Sequence, residues 1–311
     1  HRDLHLSLRR QRQMCIRDRG YPLLGRSRAS IKIQEGCDQV CSYCIIPSVR
    51  GRERSVNPES LISQINELSA NGVKEVVLTG TQLGNYGFDL SDTSLNKLLI
   101  KILNETDVPR IRVSSLQPKE VNNEIINTWI NDGLGRICPH FHIPLQSGSD
   151  RILKDMRRRY SSSEYLDIVF NIKDLMPEAS ITSDVIVGFP GESDSEFLQT
   201  IDVVEKAKLS NVHIFPYSKR PGTSAFYSKS HVQDHVIKER SKDLLSLVDK
   251  LSGVAKKSLI GKERSILWEG KSKTAGLTED YFKVIRKNTK TPIDEISKEK
   301  IKGLEDNKIF V

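Results

Sequence analysis

Three of the chain's five cysteines, Cys37, Cys41 and Cys44, fall within eight residues, while Cys15 and Cys138 stand alone. A thiol cluster this tight in an otherwise cysteine-poor chain points to metal and to a reducing cytosol rather than to a disulfide framework. A structural zinc site usually takes four ligands arranged as two pairs. Here there is one triplet, with no fourth Cys or His close by. Three thiolates suit a 4Fe-4S cluster with one iron left open, and an open iron can chelate a small molecule. Zinc, or a purely structural cluster, is the competing reading.

The triplet directly follows a short β-rich segment at residues 31–33. It therefore falls on the loop at the C-terminal end of a first strand, the end at which αβ barrels place their active sites. From Ala29 onward strand-like and helical segments alternate. Asn57-Pro58 reads as the N-cap and first residue of a helix with Leu61, Ile65 and Leu68 on one face. Residues 75–78, 110–113, 140–144, 181–187 and 212–215 supply five further strands. Helices are expected over 95–103 and 120–130. Another carries Ile168, Ile172 and Leu175 on one face, and another, with Phe197, Ile201 and Val204, follows a capping box of Ser193 with Glu196. Six strands alternating with helices make a parallel sheet that right-handed crossovers curl into a partial barrel.

Beyond Ser230 a long helix with Leu244, Val248 and Leu251 in register leads to a tail from about Ile260, where 265–268, 281–285 and 309–311 read as short strands. The expected fold class is thus α/β, a partial (β/α)6 barrel followed by a small C-terminal β-barrel. The expected organisation is a foreign segment at 1–20, a core with connecting helix at 21–258 and the small domain at 259–311.

The 311 residues, 37% hydrophobic and 28% charged, contain no apolar run near the roughly 20 residues of a bilayer span, so no transmembrane helix is expected. The net charge of +8 mildly favours an anionic partner such as nucleic acid. Residues 1–20 hold six arginines against two aspartates and account for half of that surplus. They resemble read-through of sequencing-adapter DNA, a natural basic arm being the alternative, and Cys15 is not expected to be a ligand.

The CxxxCxxC spacing, with Tyr43 just before the last Cys, resembles the signature of the radical S-adenosylmethionine enzymes. The whole stretch 35–55 resembles the cluster loop of the methylthiotransferases of that superfamily. Leu145-Gln-Ser-Gly-Ser-Asp150, Asp184-Val-Ile-Val-Gly-Phe-Pro-Gly-Glu192 and Phe215-Pro-Tyr-Ser-Lys-Arg-Pro-Gly-Thr223 match the same family in the same order. The likeness runs from about Arg28 to about Val284. Thr79-Gly-Thr-Gln-Leu-Gly-Asn-Tyr-Gly87 and Ile137-Cys-Pro-His-Phe-His142 most resemble the branch acting on threonylcarbamoyladenosine of tRNA. The isopentenyladenosine and ribosomal-protein branches fit less well.

The resemblance implies that Cys37, Cys41 and Cys44 ligate one 4Fe-4S cluster. Its open iron would take the amino and carboxylate groups of S-adenosyl-L-methionine, and an electron passed into the sulfonium would release a deoxyadenosyl radical. Tyr43 is expected near the adenine and Gly80 near the methionine amino group. Ser114, Gln146, Ser147 and Arg158 are expected near the ribose and carboxylate, and Gly188 near the adenine. Plainer readings stand beside these: a packing aromatic for Tyr43, structural turns at Gly80 and Gly188, and a solvated, RNA-facing run for Arg157–Arg159. Relatives commonly carry a Glu where this chain has Gln117. Cys138 reads as a buried packing thiol; His140 and His142 point the same way on their strand, where core histidines are the commoner case.

Arg50, Arg52 and Arg54 beside the cluster loop, and Lys262, Arg264, Lys271, Lys273, Lys283 and Arg286 in the tail, are candidates for phosphate contacts that position RNA. The tail, best over 276–284, resembles the RNA-binding TRAM domain. The implied function is methylthiolation of C2 of N6-threonylcarbamoyladenosine at position 37 of tRNA. A methylthiotransferase for isopentenyladenosine tRNA or a ribosomal protein is the alternative, and a non-catalytic zinc-containing RNA-binding protein is the reading from another class. Family members carry an N-terminal domain whose three further cysteines hold a second cluster. Nothing upstream of Cys37 supplies them, so a fragment is expected that cleaves S-adenosylmethionine without inserting sulfur. The expected partners are tRNA and a low-potential electron donor, for a cytoplasmic monomer without membrane attachment.

Overall fold

The computed structural model describes residues 27–133, 135–269, 274–286 and 295–311. The segment 1–20 with Cys15, and the tail residues Lys271 and Lys273, lie outside the described residues.

Six strands form the main unit: β1 (Arg28–Lys32), β2 (Glu75–Thr79), β3 (Arg110–Val113), β4 (His140–His142), β5 (Ser180–Val187) and β6 (Asn211–Pro216). All neighbouring pairs are parallel. β3 meets β4 only through parallel bridges, Ile111 to Ile137 and Ser115 to His142. The run β1 to β6 is therefore a partial barrel, with β1 and β6 at its open edges. Each crossover is made by a helix: α1 (Pro58–Ala70), α2 (Leu95–Glu105), α3 (Asp150–Asp155), α4 (Ser162–Leu175) and α5 (Asp194–Ala207), with a short helix at Asn123–Asn127 between β3 and β4.

Local sequence explains where these helices start. Asn57 Oδ1 accepts from the amides of Glu59 and Ser60 at 2.9 and 3.3 Å, and Pro58 takes a position whose missing N–H would have had no partner. Ser193 and Glu196 form the expected capping box, and Ser161 with Glu164 forms another. One helical face differs from expectation. The buried stripe of α4 is Tyr165, Val169 and Ile172, while Leu175 is 47% exposed. Both stripes share the helical period, but Leu175 is the final residue of the helix and is left to solvent.

A long helix, α6 (Asp234–Lys257), leads to a second unit with β7 (Glu263–Glu269), β8 (Ala275–Thr278), β9 (Lys283–Ile285), β10 (Ile296–Lys300), β11 (Gly303–Glu305) and β12 (Lys308–Phe310). These form one sheet in the order β10-β7-β8-β9-β12-β11, antiparallel except for β9 against β12. Among the described residues no ladder pairs β10 with β11 directly, but the stretch 296–305 passes from β7 to β12, with Ile301 bonded to Lys262 and Lys302 to Phe310, so one segment bridges the two edges of this mixed sheet. It has its own core, including Ile266, Trp268, Val284 and Ile309. Tyr281 lies before β9, in a turn at φ 72°.

This second unit seats on the N-terminal mouth of the barrel. Glu75 and Arg110, the first residues of β2 and β3, meet there. The fully buried Glu75 carboxylate accepts from Arg112 Nε at 2.9 Å and from Arg110 Nη1 at 3.3 Å, with Arg28 3.9 Å away. Arg110 and Arg112 also donate to the carbonyls of Ser265, Leu277, Thr278 and Glu279 in the second unit. Charges that would be costly to bury are thus paired and hydrogen-bonded on all sides. No helix among the described residues is long and apolar enough to cross a membrane.

Candidate functional site

The loop after β1 is closed at its base by a two-residue antiparallel ladder, Gln34–Glu35 against Arg54–Ser55. Gly36 makes the turn into the loop at φ 81°, where a Cβ would stand 2.0 Å from the Arg52 carbonyl oxygen; only glycine fits so close a backbone approach. Gln34 joins the loop to the turn after β2. Its Oε1 accepts from the amides of Thr81 and Gln82, both at 2.9 Å, and its Nε2 donates to the Gly36 carbonyl. On the far side, Ser42 Oγ donates to the Asp155 carbonyl at 2.7 Å and its amide to that of Met156, docking the loop onto the end of α3. The C-terminal mouth of the barrel therefore carries all three thiols on one tethered loop.

Cys37 is buried, and Cys41 and Cys44 are half-buried. Burial pushes the Cys37 thiol up to about 11, with Glu53 and the other two thiols adding to the rise, and burial also raises Cys44. Among the described residues no three His, Cys, Asp or Glu side chains converge into a ready-made coordination shell. Metal is bound by thiolates, so cluster binding would release thiol protons. The donor set is three soft sulfur ligands without a carboxylate or imidazole among them, which fits an iron–sulfur cluster and leaves one iron without a protein ligand.

Arg158 reaches this loop from the end of α3. Its Nη1 donates to Cys41 Sγ at 3.4 Å and its Nε to Tyr160 Oη at 3.2 Å, and its guanidinium lies 5.3 Å from the Tyr160 ring. Burial alone would lower its pKa, but Tyr160, Tyr43 and Cys41 hold it above the ordinary arginine value, so the thiols face a permanent cation. Burial likewise raises Tyr43, whose ring packs edge-on against Phe189 at 6.4 Å.

The other expected residues divide. Gly80 lies in the turn that Gln34 holds, where a Cβ would be 3.0 Å from Gln34 Oε1. Ser114 lines the barrel interior. Gln146, at φ 64°, bridges to Val185. Ser147 is wholly buried, 3.4 Å from Thr200 Oγ1, and accepts from the Ser149 amide, which is a structural task. Gly188 has φ 77°, and a Cβ there would meet Ile237 of α6 at 2.4 Å; the close approach at that turn is made by a helix. Arg50 and Arg54 pair with Glu35, and Arg52 with Asp38, all on the exposed side of the loop. Lys283 is exposed on the second unit. Cys138 is buried, as expected of a packing thiol.

One group was not anticipated. Gln117 indeed brings no carboxylate, but Glu120, three residues on, folds back to accept from the Gln117 amide at 2.8 Å and the Gly84 amide at 3.2 Å. It also accepts from Gln82, whose Oε1 lies 3.8 Å from Cys37 Sγ and receives the Gln117 side chain. Burial pushes the Glu120 carboxyl up to about 7. The capping-type spacing from Gln117 to Glu120 was the available sequence signal.

Comparison with known proteins bears on this geometry. The family model described as the radical SAM superfamily matches residues 31–204. The threonylcarbamoyladenosine tRNA methylthiotransferase MtaB of Bacillus subtilis is 41% identical over 287 residues, covering 89% of this chain and 62% of that protein. A tRNA-2-methylthio-N(6)-dimethylallyladenosine synthase of Caldicellulosiruptor saccharolyticus is 42% identical over 263 residues, 84% of this chain and 55% of that protein. The chain thus spans less than two thirds of the length of these relatives. Among solved structures, the radical S-adenosylmethionine methyltransferase TsrM of Kitasatospora setae, with cobalamin and a [4Fe-4S] cluster bound, superposes with a TM-score of 0.53 at 17% identity, over 64% of this chain and 38% of that one. A single family model accounts for more than half of the residues, on a partial parallel barrel with the thiols at its C-terminal mouth, and the chain belongs to the radical SAM superfamily.

Proposed function

We propose that the chain is the radical core of a tRNA methylthiotransferase, with one 4Fe-4S cluster on Cys37, Cys41 and Cys44 and S-adenosylmethionine as cosubstrate. Its target in this reading is C2 of N6-threonylcarbamoyladenosine at position 37 of tRNA. The observation that carries the proposal is the thiol triplet on one tethered loop at the barrel mouth, with a guanidinium on Cys41. When bound, the cluster supplies the electron that opens the sulfonium.

The chain's own residues hold and orient. Gln34 keeps the thiol loop against the Gly80 turn. Arg158 offers a cation beside Cys41 that would suit the carboxylate of S-adenosylmethionine. Arg50, Arg52 and Arg54 are exposed, and their carboxylate partners are exchangeable for RNA phosphates. In the same reading the second unit, at the other mouth of the barrel, offers RNA a separate phosphate contact through the exposed Lys283. The threonylcarbamoyl target is supported by the two motifs at 79–87 and 137–142. The electron donor, the monomeric state and a cytoplasmic location belong to the same proposal.

Anaerobic reconstitution with iron and sulfide tests it. About four irons per chain are expected, together with reductive cleavage of S-adenosylmethionine to 5′-deoxyadenosine, and alanine at any one of the three cysteines should abolish both. Zinc at about one per chain without iron uptake would instead establish the RNA-binding zinc protein.

A further inference from the structure

The concave side of the parallel sheet encloses a cavity of about 660 Å³ to which all six strands contribute. Its floor comes from the second unit, through Glu269 at the end of β7 and the Tyr281 turn. Tyr281 stacks on His140 at 4.4 Å, with the rings 13° apart, and lies 5.0 Å from the Arg112 guanidinium. The wall is a polar chain. Thr182 Oγ1 is 2.9 Å from both His140 Nε2 and His142 Nδ1, and Asp184 lies 3.2 Å from His142 and 3.4 Å from His213. The rim is continuous with the cysteine loop. Ser114 and Ser115 line the cavity, and two residues further on Gln117 bonds Gln82, the neighbour of Cys37.

In adenine, C2 and the N6 substituent sit on ring positions that diverge. A base presenting C2 to the thiol loop therefore directs its N6 arm away from that loop, toward the cavity wall and floor. An apolar arm would desolvate this polar wall while offering nothing to His140 Nδ1, which has no hydrogen-bond partner, or to Arg28 beyond Glu269. An arm with a carboxylate, a hydroxyl and a urea would satisfy them. Arg28 is the lining cation best placed for the carboxylate. Arg112 is fully engaged with Glu75 and two carbonyls, whereas Arg28 is held chiefly by Glu269, at 2.8 Å from Nε. Resting on the reading above, we propose that this cavity receives the acidic N6 arm of the target adenosine, with Arg28 as partner of its carboxylate and Glu269 as the resident group that competes for Arg28. The second unit then reads the substituent as well as the RNA backbone.

The test is binding of one synthetic anticodon stem-loop carrying unmodified, isopentenyl or threonylcarbamoyl adenosine at the target position, measured by fluorescence anisotropy on the full chain. The threonylcarbamoyl stem-loop should bind about tenfold tighter than the other two. Arg28→Gln should remove that advantage while keeping the affinity for unmodified RNA, and Glu269→Gln should preserve or increase it. A purely structural Arg28–Glu269 pair would weaken both variants alike. Equal binding of the three stem-loops, wild-type discrimination by Arg28→Gln, or parallel losses in the two variants would overturn the inference. Iron content and S-adenosylmethionine cleavage of the same preparations report separately on the radical reading: their loss with discrimination intact would reject that reading alone.

Discussion

Replacing Glu75 by Gln keeps the side chain's size and removes its charge. The carboxylate is fully buried between Arg112 and Arg110, whose side chains are 3% and 4% exposed, with Arg28 at 3.9 Å. Gln would leave those guanidinium groups facing one another at the junction of the two units. Removing one partner of a buried pair costs roughly 3–5 kcal/mol, a large share of the roughly 5–15 kcal/mol that holds a domain folded. At about 2–4 °C per kcal/mol for a unit of this size, the midpoint of thermal unfolding should fall by about 6–20 °C. Burial alone would raise the Glu75 carboxyl, but Arg112, Arg110 and Arg28 outweigh it and hold the group below its ordinary value of 4.5. Its stabilisation is therefore complete above that value and lost as pH falls through the lowered one, so Glu75→Gln should also flatten the acid-side loss of stability. Circular dichroism melts of both proteins at neutral and acid pH measure the two effects. A variant melting within about one degree of wild type at pH 7, or keeping the wild-type acid slope, would refute the account of the junction.

Gly36→Ala places a methyl 2.0 Å from the Arg52 carbonyl oxygen at a positive φ; iron uptake on reconstitution should fall to a small fraction of wild type, read by iron analysis. Glu120 has a carboxyl raised to about 7 by burial, so its ionisation works against folding. Wild-type stability should decline as pH rises from about 4.5 through 7, by on the order of 1–3 kcal/mol, and Glu120→Gln should remove that decline in urea titrations. Cys138, which burial pushes up to about 12, should resist alkylation in the native protein at pH 8 and react once it is unfolded. Cys138→Ala should cost about 1–2 kcal/mol through lost packing and leave iron content unchanged.

Features encoded within a few residues were legible along the chain. The spacing of Cys37, Cys41 and Cys44 needs only one loop, the caps at Asn57 and Ser193 need only the next turn, and the β-rich segments of β2, β3 and β5 show as strands without knowledge of their neighbours. Other features depend on partners far away in the chain. Strand β10, Ile-Ser-Lys-Glu-Lys, has no apolar alternation and is a strand because β7 offers it a paired edge. The buried stripe of α4 lies one turn earlier than the expected face, because helical period alone does not fix which turns are covered. Arg158 meets Cys41 across 117 residues of sequence, and Tyr281 meets His140 across a boundary between two cores. Glu120 becomes a half-buried carboxylate only when Gly84 and Gln82 close over it. Local chemistry is set by short covalent distances and backbone geometry. The cation beside the thiols, the half-buried acid and the floor of the cavity arise because parallel strand pairing brings distant segments to one mouth of the barrel, and the second unit to the other.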